Sequence, residues 1–63
     1  MTKEYSKVYN LIRENNSIPF KALIRLATEH GISEVDCNSI LFDMIDNGTV
    51  KTERVDNTTC LKV

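Results

Sequence analysis

The fold is decided by the stretch SEVDCNSILFDMIDN, residues 33–47, which has the pattern of a strongly amphipathic helix. Ser33 is a residue type that caps helices, and Asp36 stands three residues on, where a capping box usually has glutamate. The Asn47-Gly48 pair then ends the helix at a glycine cap. The apolar positions predicted to face the core are Cys37, Ile40, Leu41 and Met44, with Ile45 at the flank.

The charge of this helix restricts what it can contact. It contains no lysine or arginine and has four acids, namely Glu34, Asp36, Asp43 and Asp46. Because nucleic acid is a polyanion, such a helix is repelled by a groove lined with phosphates. The whole chain has a net charge of −1, so any attraction to nucleic acid must come from local clusters of cations.

Two more helices are predicted upstream. Thr2 can cap a first helix that runs to about Asn15. Pro19 opens the second helix, where its missing N–H costs nothing, and Ile18 could form a strand of one or two residues just before it. Gly31 then ends the second helix as a left-handed cap. The predicted apolar stripes are Tyr5, Val8, Leu11 and Ile12 in the first helix, and Phe20, Leu23, Ile24 and Ala27 in the second, with Leu26 near its edge.

The segment downstream of residue 48 is predicted to be a β-hairpin. Thr49–Arg54 and Thr59–Val63 are rich in β-branched residues, and Asp56-Asn57 supplies a short turn between them. The sequence therefore predicts one α+β domain over residues 1–63, with three helices and a C-terminal two-stranded hairpin that must lean on the helices.

Composition indicates an ordinary folded chain inside the cell. The 63 residues are 41% hydrophobic and 27% charged. The two cysteines, Cys37 and Cys60, form no C-x-x-C pair and are predicted to be reduced core thiols. The N-terminus lacks the apolar region of a signal peptide, and no apolar run approaches the ~20 residues that span a bilayer. We therefore expect a cytoplasmic location and no membrane association.

The order of elements resembles a winged helix, which is a helix-turn-helix fold. The resemblance lies in IPFKALI at residues 18–24, HGISE at 30–34 and IDNGTV at 45–50. The chain is similar to the C-terminal winged helix of archaeal minichromosome-maintenance helicases, and to that of the middle subunit of eukaryotic replication protein A. The resemblance covers nearly the whole chain, but these motifs occur across the superfamily. It implies a docking or regulatory module in DNA replication or transcription regulation, without catalysis.

A resemblance to Z-DNA-binding winged helices is confined to one spacing. Those domains place an Asn and a Tyr four residues apart on the third helix, and here Asn38 and Phe42 have that spacing. The neighbouring cations and the Pro-Pro-x-Trp wing of those domains are missing, since the wing segment reads Thr58-Thr59-Cys60-Leu61. This resemblance is therefore disfavoured.

The outer face of the predicted third helix offers five candidate partner-binding residues, namely Val35, Asn38, Ser39, Phe42 and Asp46. At about 100° per residue, Phe42 lies about 140° from Cys37 and therefore off the core stripe. Two interpretations stay open. Phe42 is an exposed aromatic anchor ringed by acids, which suits a protein partner, or it folds under the hairpin and completes a small core.

Cations elsewhere in the chain offer a rival interpretation. The candidate phosphate contacts are Lys21 and Arg25 in the second helix and Lys51 and Arg54 in the hairpin. Such contacts would bind DNA weakly and without reading bases. The alternative, a solvated face balanced by nearby acids, is favoured because the cations do not cluster densely.

No catalytic, metal or cofactor site is predicted. The one histidine, His30, lies near the predicted C-terminal end of the second helix, where the negative end of the helix dipole favours it. Its spacing to either cysteine is not that of zinc ligands. The only glycines are Gly31 and Gly48, so no glycine-rich phosphate loop exists. We therefore expect a non-enzymatic module that docks a protein partner through its third helix. The alternative is direct DNA binding, weak and largely directed to phosphates, through the first two helices and the hairpin. The chain is expected to be a monomer or a weak homodimer that associates around Tyr5 or Tyr9.

Overall fold

The computed structural model describes residues 3–63, which form three helices and three strands. The elements in chain order are α1 (Lys3–Glu14), β1 (Ile18–Pro19), α2 (Phe20–Glu29), α3 (Glu34–Asp46), β2 (Lys51–Val55) and β3 (Thr58–Lys62). The predicted α+β architecture is therefore confirmed. The predicted capping role of Thr2 lies outside the described residues.

The boundaries of α3 follow from local hydrogen bonds. The Ser33 hydroxyl oxygen accepts a hydrogen bond from the N–H of Asp36 at 3.2 Å, which confirms the predicted N-cap. At the other end Gly48 has a φ of +82°, a left-handed conformation that glycine adopts without strain. The N–H of Val50 donates to the carbonyl of Met44 at 3.2 Å, so the chain turns back along the helix before β2 begins.

The end of α2 is a Schellman motif centred on Gly31. Gly31 has a φ of +86° and donates its N–H to the carbonyl of Thr28 at 3.0 Å. The N–H of Ile32 donates to the carbonyl of Ala27 at 3.0 Å, and both of these side chains are buried. This geometry fixes the short turn between α2 and α3 and thereby the angle at which α3 leaves it.

The strands form one antiparallel sheet in the order β1-β3-β2. The short strand considered at Ile18 does form, and it pairs with β3 through Ile18 opposite Leu61, so the hairpin is part of a three-stranded sheet. Asp56 and Asn57, with φ values of 51° and 64°, make the two-residue turn. Positive φ at both central positions is typical of a type I′ turn, whose twist matches that of the flanking strands.

The core lies between the helices and the sheet. Its buried residues are Val8, Leu11, Ile12, Ile18, Leu23, Ala27, Ile32, Cys37, Leu41, Met44, Val50, Cys60 and Leu61. Several side chains of the predicted stripes are only half-buried against it, namely Tyr5, Phe20, Ile24, Leu26, Ile40 and Ile45. Ile40 differs from the prediction because it lies at the flank of the helix, whereas Leu41 is fully covered.

Candidate partner-binding face of the third helix

The outer face of α3 exposes two large apolar side chains. Val35 is 77% exposed and Phe42 is 65% exposed. Phe42 therefore does not fold under the hairpin, and the interpretation that it completes the core is wrong. Ser39 and Asp46 are exposed on the same helix, whereas Asn38 is half-buried at its flank.

Because Val35 and Phe42 are apolar residues on its outer face, α3 is not the strongly amphipathic helix that was predicted. Cys37, Leu41 and Met44 face the core, and Val35 and Phe42 lie on the opposite side. Val35 and Phe42 are seven residues apart, which is two helical turns and about 10 Å along the axis. A pair with this spacing can contact one side of a second helix, as the anchors of a helical peptide do in a groove.

A shallow groove of about 690 Å³ lies beside Phe42, between α3 and the first turns of α1. Its lining residues are Tyr5, Ser39, Ile40, Phe42, Asp43, Ile45 and Asp46. The structure thus brings together Ser39, Phe42 and Asp46 of the predicted face. Val35 and Asn38 lie outside this lining.

Sequence reasoning missed four of the lining residues as members of this site, namely Tyr5, Ile40, Asp43 and Ile45. Tyr5 was assigned to the core stripe of the first helix, and only the packing of α1 against α3 brings it to the groove. Asp43 directly follows Phe42 in the sequence, and this adjacency could have indicated that Asp43 belongs to the site. Two aromatic rings and two carboxylates therefore line one groove.

Within the described residues, the acids of α3 are not ion-paired. Within residues 3–63 the one ion pair joins Lys62 Nζ to Glu53 Oε2 at 3.6 Å, and both residues belong to the sheet. The last turn of α3 contains no basic residue. The groove is consequently apolar at Phe42 and negatively charged beside it.

The four candidate phosphate contacts are exposed but do not form a single cluster. Lys21 lines a depression with Asn57, Thr58 and Thr59 at the hairpin turn. Arg54 reaches the same turn, where its Nη2 donates to the carbonyl oxygen of Asn57 at 3.4 Å.

The other two cations have different surroundings. Lys51 lies opposite Lys62 in the sheet, and Arg25 is exposed on α2. Neither Arg25 nor Lys51 lines the depression at the hairpin turn. Of the four candidate phosphate contacts, Lys21 and Arg54 are therefore the two placed at that turn.

The cysteines are free, and both are buried. Burial raises the pKa of the Cys37 thiol, so little thiolate forms at neutral pH. Over residues 3–63, no group of three or more His, Cys, Asp or Glu side chains could hold a metal ion. None of the described helices is long and apolar enough to cross a membrane.

Comparison of the chain with protein-family models, with curated proteins and with solved structures gives no significant match.

Proposed function

We propose that this chain is a non-catalytic winged-helix module that docks a protein partner through the outer face of α3. The supporting observation is Phe42, a large aromatic side chain that is 65% exposed beside a groove. Burying an exposed aromatic ring is the main source of affinity at many protein interfaces, where aromatic residues are frequent hot spots.

The winged-helix assignment is supported by the element order and by the sheet order. Three helices, a short strand after the first helix and a closing hairpin follow each other in the chain. The short strand pairs with β3 rather than with the edge strand β2, which ties the N-terminal half to the hairpin. Under this assignment α2 and α3 form the helix-turn-helix and β2–β3 forms the wing.

A role in DNA replication or transcription regulation is the biological setting that the winged-helix resemblance suggests. In a DNA-reading member of this class, α3 would enter the major groove. Here α3 offers no arginine or lysine for guanine and four acids that phosphates repel. Within a DNA-associated assembly, its charge and its exposed phenylalanine suit contact with a protein better than contact with DNA.

The experiment that tests this role is capture of partners from a lysate, with photo-crosslinking through a reactive residue at position 39. Ser39 is exposed on the proposed face, so it tolerates substitution. We expect one or a few proteins to crosslink specifically, and Phe42→Ala to abolish their capture. Val55→Ala is the matched control, because Val55 is also an exposed apolar residue, at 45%, but lies in β2. Loss of capture with Val55→Ala but not with Phe42→Ala would refute docking through α3.

Direct DNA binding is the second candidate function. The observation in its favour is the convergence of Lys21 and Arg54 at the hairpin turn, where a wing would approach the DNA backbone. Two exposed cations contact phosphates without selecting a sequence, so this binding would be weak.

A further inference from the structure

We propose that the segment bound by α3 is rich in lysine and arginine, with its cations beside Asp43 and Asp46 and its apolar anchor on Phe42. This inference rests on the docking role proposed above and specifies the chemistry of the partner. It is based on the position of an apolar side chain beside two carboxylates, since Phe42, Asp43 and Asp46 line the same groove.

The two ends of α3 differ in how they accommodate their acids. Glu34 and Asp36 lie in the first turn, where the positive end of the helix dipole stabilises carboxylates. Asp43 and Asp46 lie in the last turns, where the dipole is negative and carboxylates are unfavourable. Asp43 and Asp46 are also three residues apart, so they repel each other along the helix surface. The negative potential of α3 is therefore concentrated at its C-terminal half, beside Phe42.

Nothing within the described chain compensates this charge. Neither Asp43 nor Asp46 is ion-paired within residues 3–63, and the last turn of α3 has no basic residue. A local arrangement that costs stability without an internal gain is typical of functional sites. A cation supplied by a partner would remove both the mutual repulsion and the conflict with the dipole.

A second copy of this chain fits the site less well than a separate cationic segment. Two α3 faces placed together would bring their acids into contact. The cations of another copy lie on α1, α2 and the hairpin, so a contact between two α3 faces does not bring them to the groove. A separate cationic segment meets no such repulsion, and the groove of about 690 Å³ is large enough for a few of its side chains.

The test selects binders from a display library of random peptides, long enough for about four helical turns, against the full chain at low salt. We expect the enriched peptides to have net positive charge, with an aromatic or aliphatic residue within one helical turn of a lysine or arginine. When these peptides bind, the amide NMR signals of the chain should shift most around Phe42, Asp43 and Asp46. Raising the salt to about 0.15 M should weaken peptide binding, because the charges at the groove are exposed.

Two matched double variants separate charge position from overall charge. Asp43→Asn with Asp46→Asn should weaken the best peptide about 3- to 10-fold and flatten its salt dependence. Glu34→Gln with Asp36→Asn makes the same change in net charge at the other end of α3 and should alter affinity by less than about twofold. Equal losses in both variants would overturn the proposal, since net charge alone would then explain binding.

The other outcomes distinguish this inference from the docking role itself. Enriched peptides that are neutral or acidic and still shift the amide NMR signal of Phe42 would overturn the proposal that the bound segment is cationic. The proposed docking role would remain intact. Peptides that bind only away from α3, unaffected by Phe42→Ala, would overturn both. Sedimentation that shows self-association sensitive to Asp43→Asn and Asp46→Asn would instead assign the groove to a second copy and overturn the cationic segment.

Discussion

The hydroxyl of Tyr5 accepts a hydrogen bond at 3.4 Å from the side-chain amide of Asn47, the residue that caps α3. The side-chain oxygen of Asn47 in turn accepts from the N–H of Thr49 at 2.9 Å. One asparagine therefore connects α1, the end of α3 and the segment that leads into β2. Since the Tyr5 ring lines the groove beside Phe42, the shape of the proposed docking site depends on this contact.

Removing the two partners of this contact should have unequal effects. Asn47→Ala loses the bonds to both Tyr5 and Thr49 and should lower the free energy of unfolding by about 1–2 kcal/mol. Tyr5→Phe loses the exposed hydrogen bond with Asn47 and keeps the bond between Asn47 and Thr49, so the loss of this contact should cost less than about 1 kcal/mol. Urea unfolding of both variants measures the difference. A larger loss in Tyr5→Phe than in Asn47→Ala would show that Asn47 is not the connecting residue.

Two neighbouring residues of α3 should differ in their contribution to stability. Leu41 is fully buried, so Leu41→Ala should cost about 2–5 kcal/mol, enough to unfold a domain of this size. Ile40 is half-buried at the flank, so Ile40→Ala should cost less than Leu41→Ala. Thermal unfolding followed by circular dichroism distinguishes them. A cooperative transition of Leu41→Ala near the parent Tm would mean that the core is wrongly assigned.

The cysteines should behave as buried, reduced thiols. Reductant should leave Tm unchanged, because Cys37 and Cys60 are both free. A thiol reagent should modify Cys37 slowly in the native state, since burial both covers it and raises the pKa of its thiol. Full reactivity should appear only in denaturant. A fall in Tm of many degrees on reduction would reveal a disulfide and contradict this assignment.

The elements were largely predictable from the sequence because their ends are local. Ser33, Gly31 and Gly48 act through hydrogen bonds and backbone angles within a few residues of themselves, and each occupies its predicted place. The pairing of β1 with β3 joins Ile18 to Leu61, and such a distant pairing has no local signal. The sequence therefore predicted the hairpin and a possible short strand at Ile18, but not that this strand pairs with β3.

The candidate site was less predictable because it depends on packing between elements. The charge of α3 can be read directly from residues 34–46, and it needed no structure. Helical periodicity placed Phe42 off the core stripe, but whether the hairpin would cover it depends on the path of β2. The contribution of Tyr5 likewise depends on how α1 packs against α3.

Acid should remove one source of stability that joins the first loop to the sheet. The Ser17 hydroxyl donates a hydrogen bond to Glu53, and Lys62 lies 3.6 Å from the same carboxylate. The Ser17 hydrogen bond is the main cause that holds the pKa of Glu53 below its ordinary range; desolvation opposes it, and the charge and hydrogen bond of Lys62 add to it. Because the folded pKa is the lower one, this stabilisation is present above the ordinary glutamate pKa of about 4.3 and is lost as pH falls through the folded value.

The test compares the pH dependence of unfolding in the parent and in Glu53→Gln. The parent should lose stability relative to the variant as pH falls below about 4.3. Ser17→Ala is the companion variant, and in it an NMR titration should show the pKa of Glu53 closer to its ordinary value. An unchanged titration in Ser17→Ala would assign the lowered pKa to Lys62 alone.

The last prediction separates docking from DNA reading. Any binding to a mixed-sequence duplex should be weak, steeply salt-dependent and insensitive to sequence. α3 cannot supply the common arginine–guanine contact, worth about 1–3 kcal/mol, because it has no cation. Only exposed lysines and arginines remain, and their contacts with phosphates weaken as salt reduces the gain from counterion release.

Three variants test this expectation, two that change charge and one that removes an apolar ring. Each is titrated with the DNA duplex while the amide NMR shifts of the chain are followed. Replacing Lys21 and Arg54 together with alanine should weaken binding and flatten its salt slope by about one unit per lost phosphate contact. Asp43→Asn with Asp46→Asn should strengthen binding by removing repulsion. Phe42→Ala should leave it unchanged, because the role proposed for the ring is contact with a protein. A sequence-selective complex of sub-micromolar Kd at physiological salt, lost on substitution of Asn38 or Ser39, would refute docking and show that α3 reads the major groove.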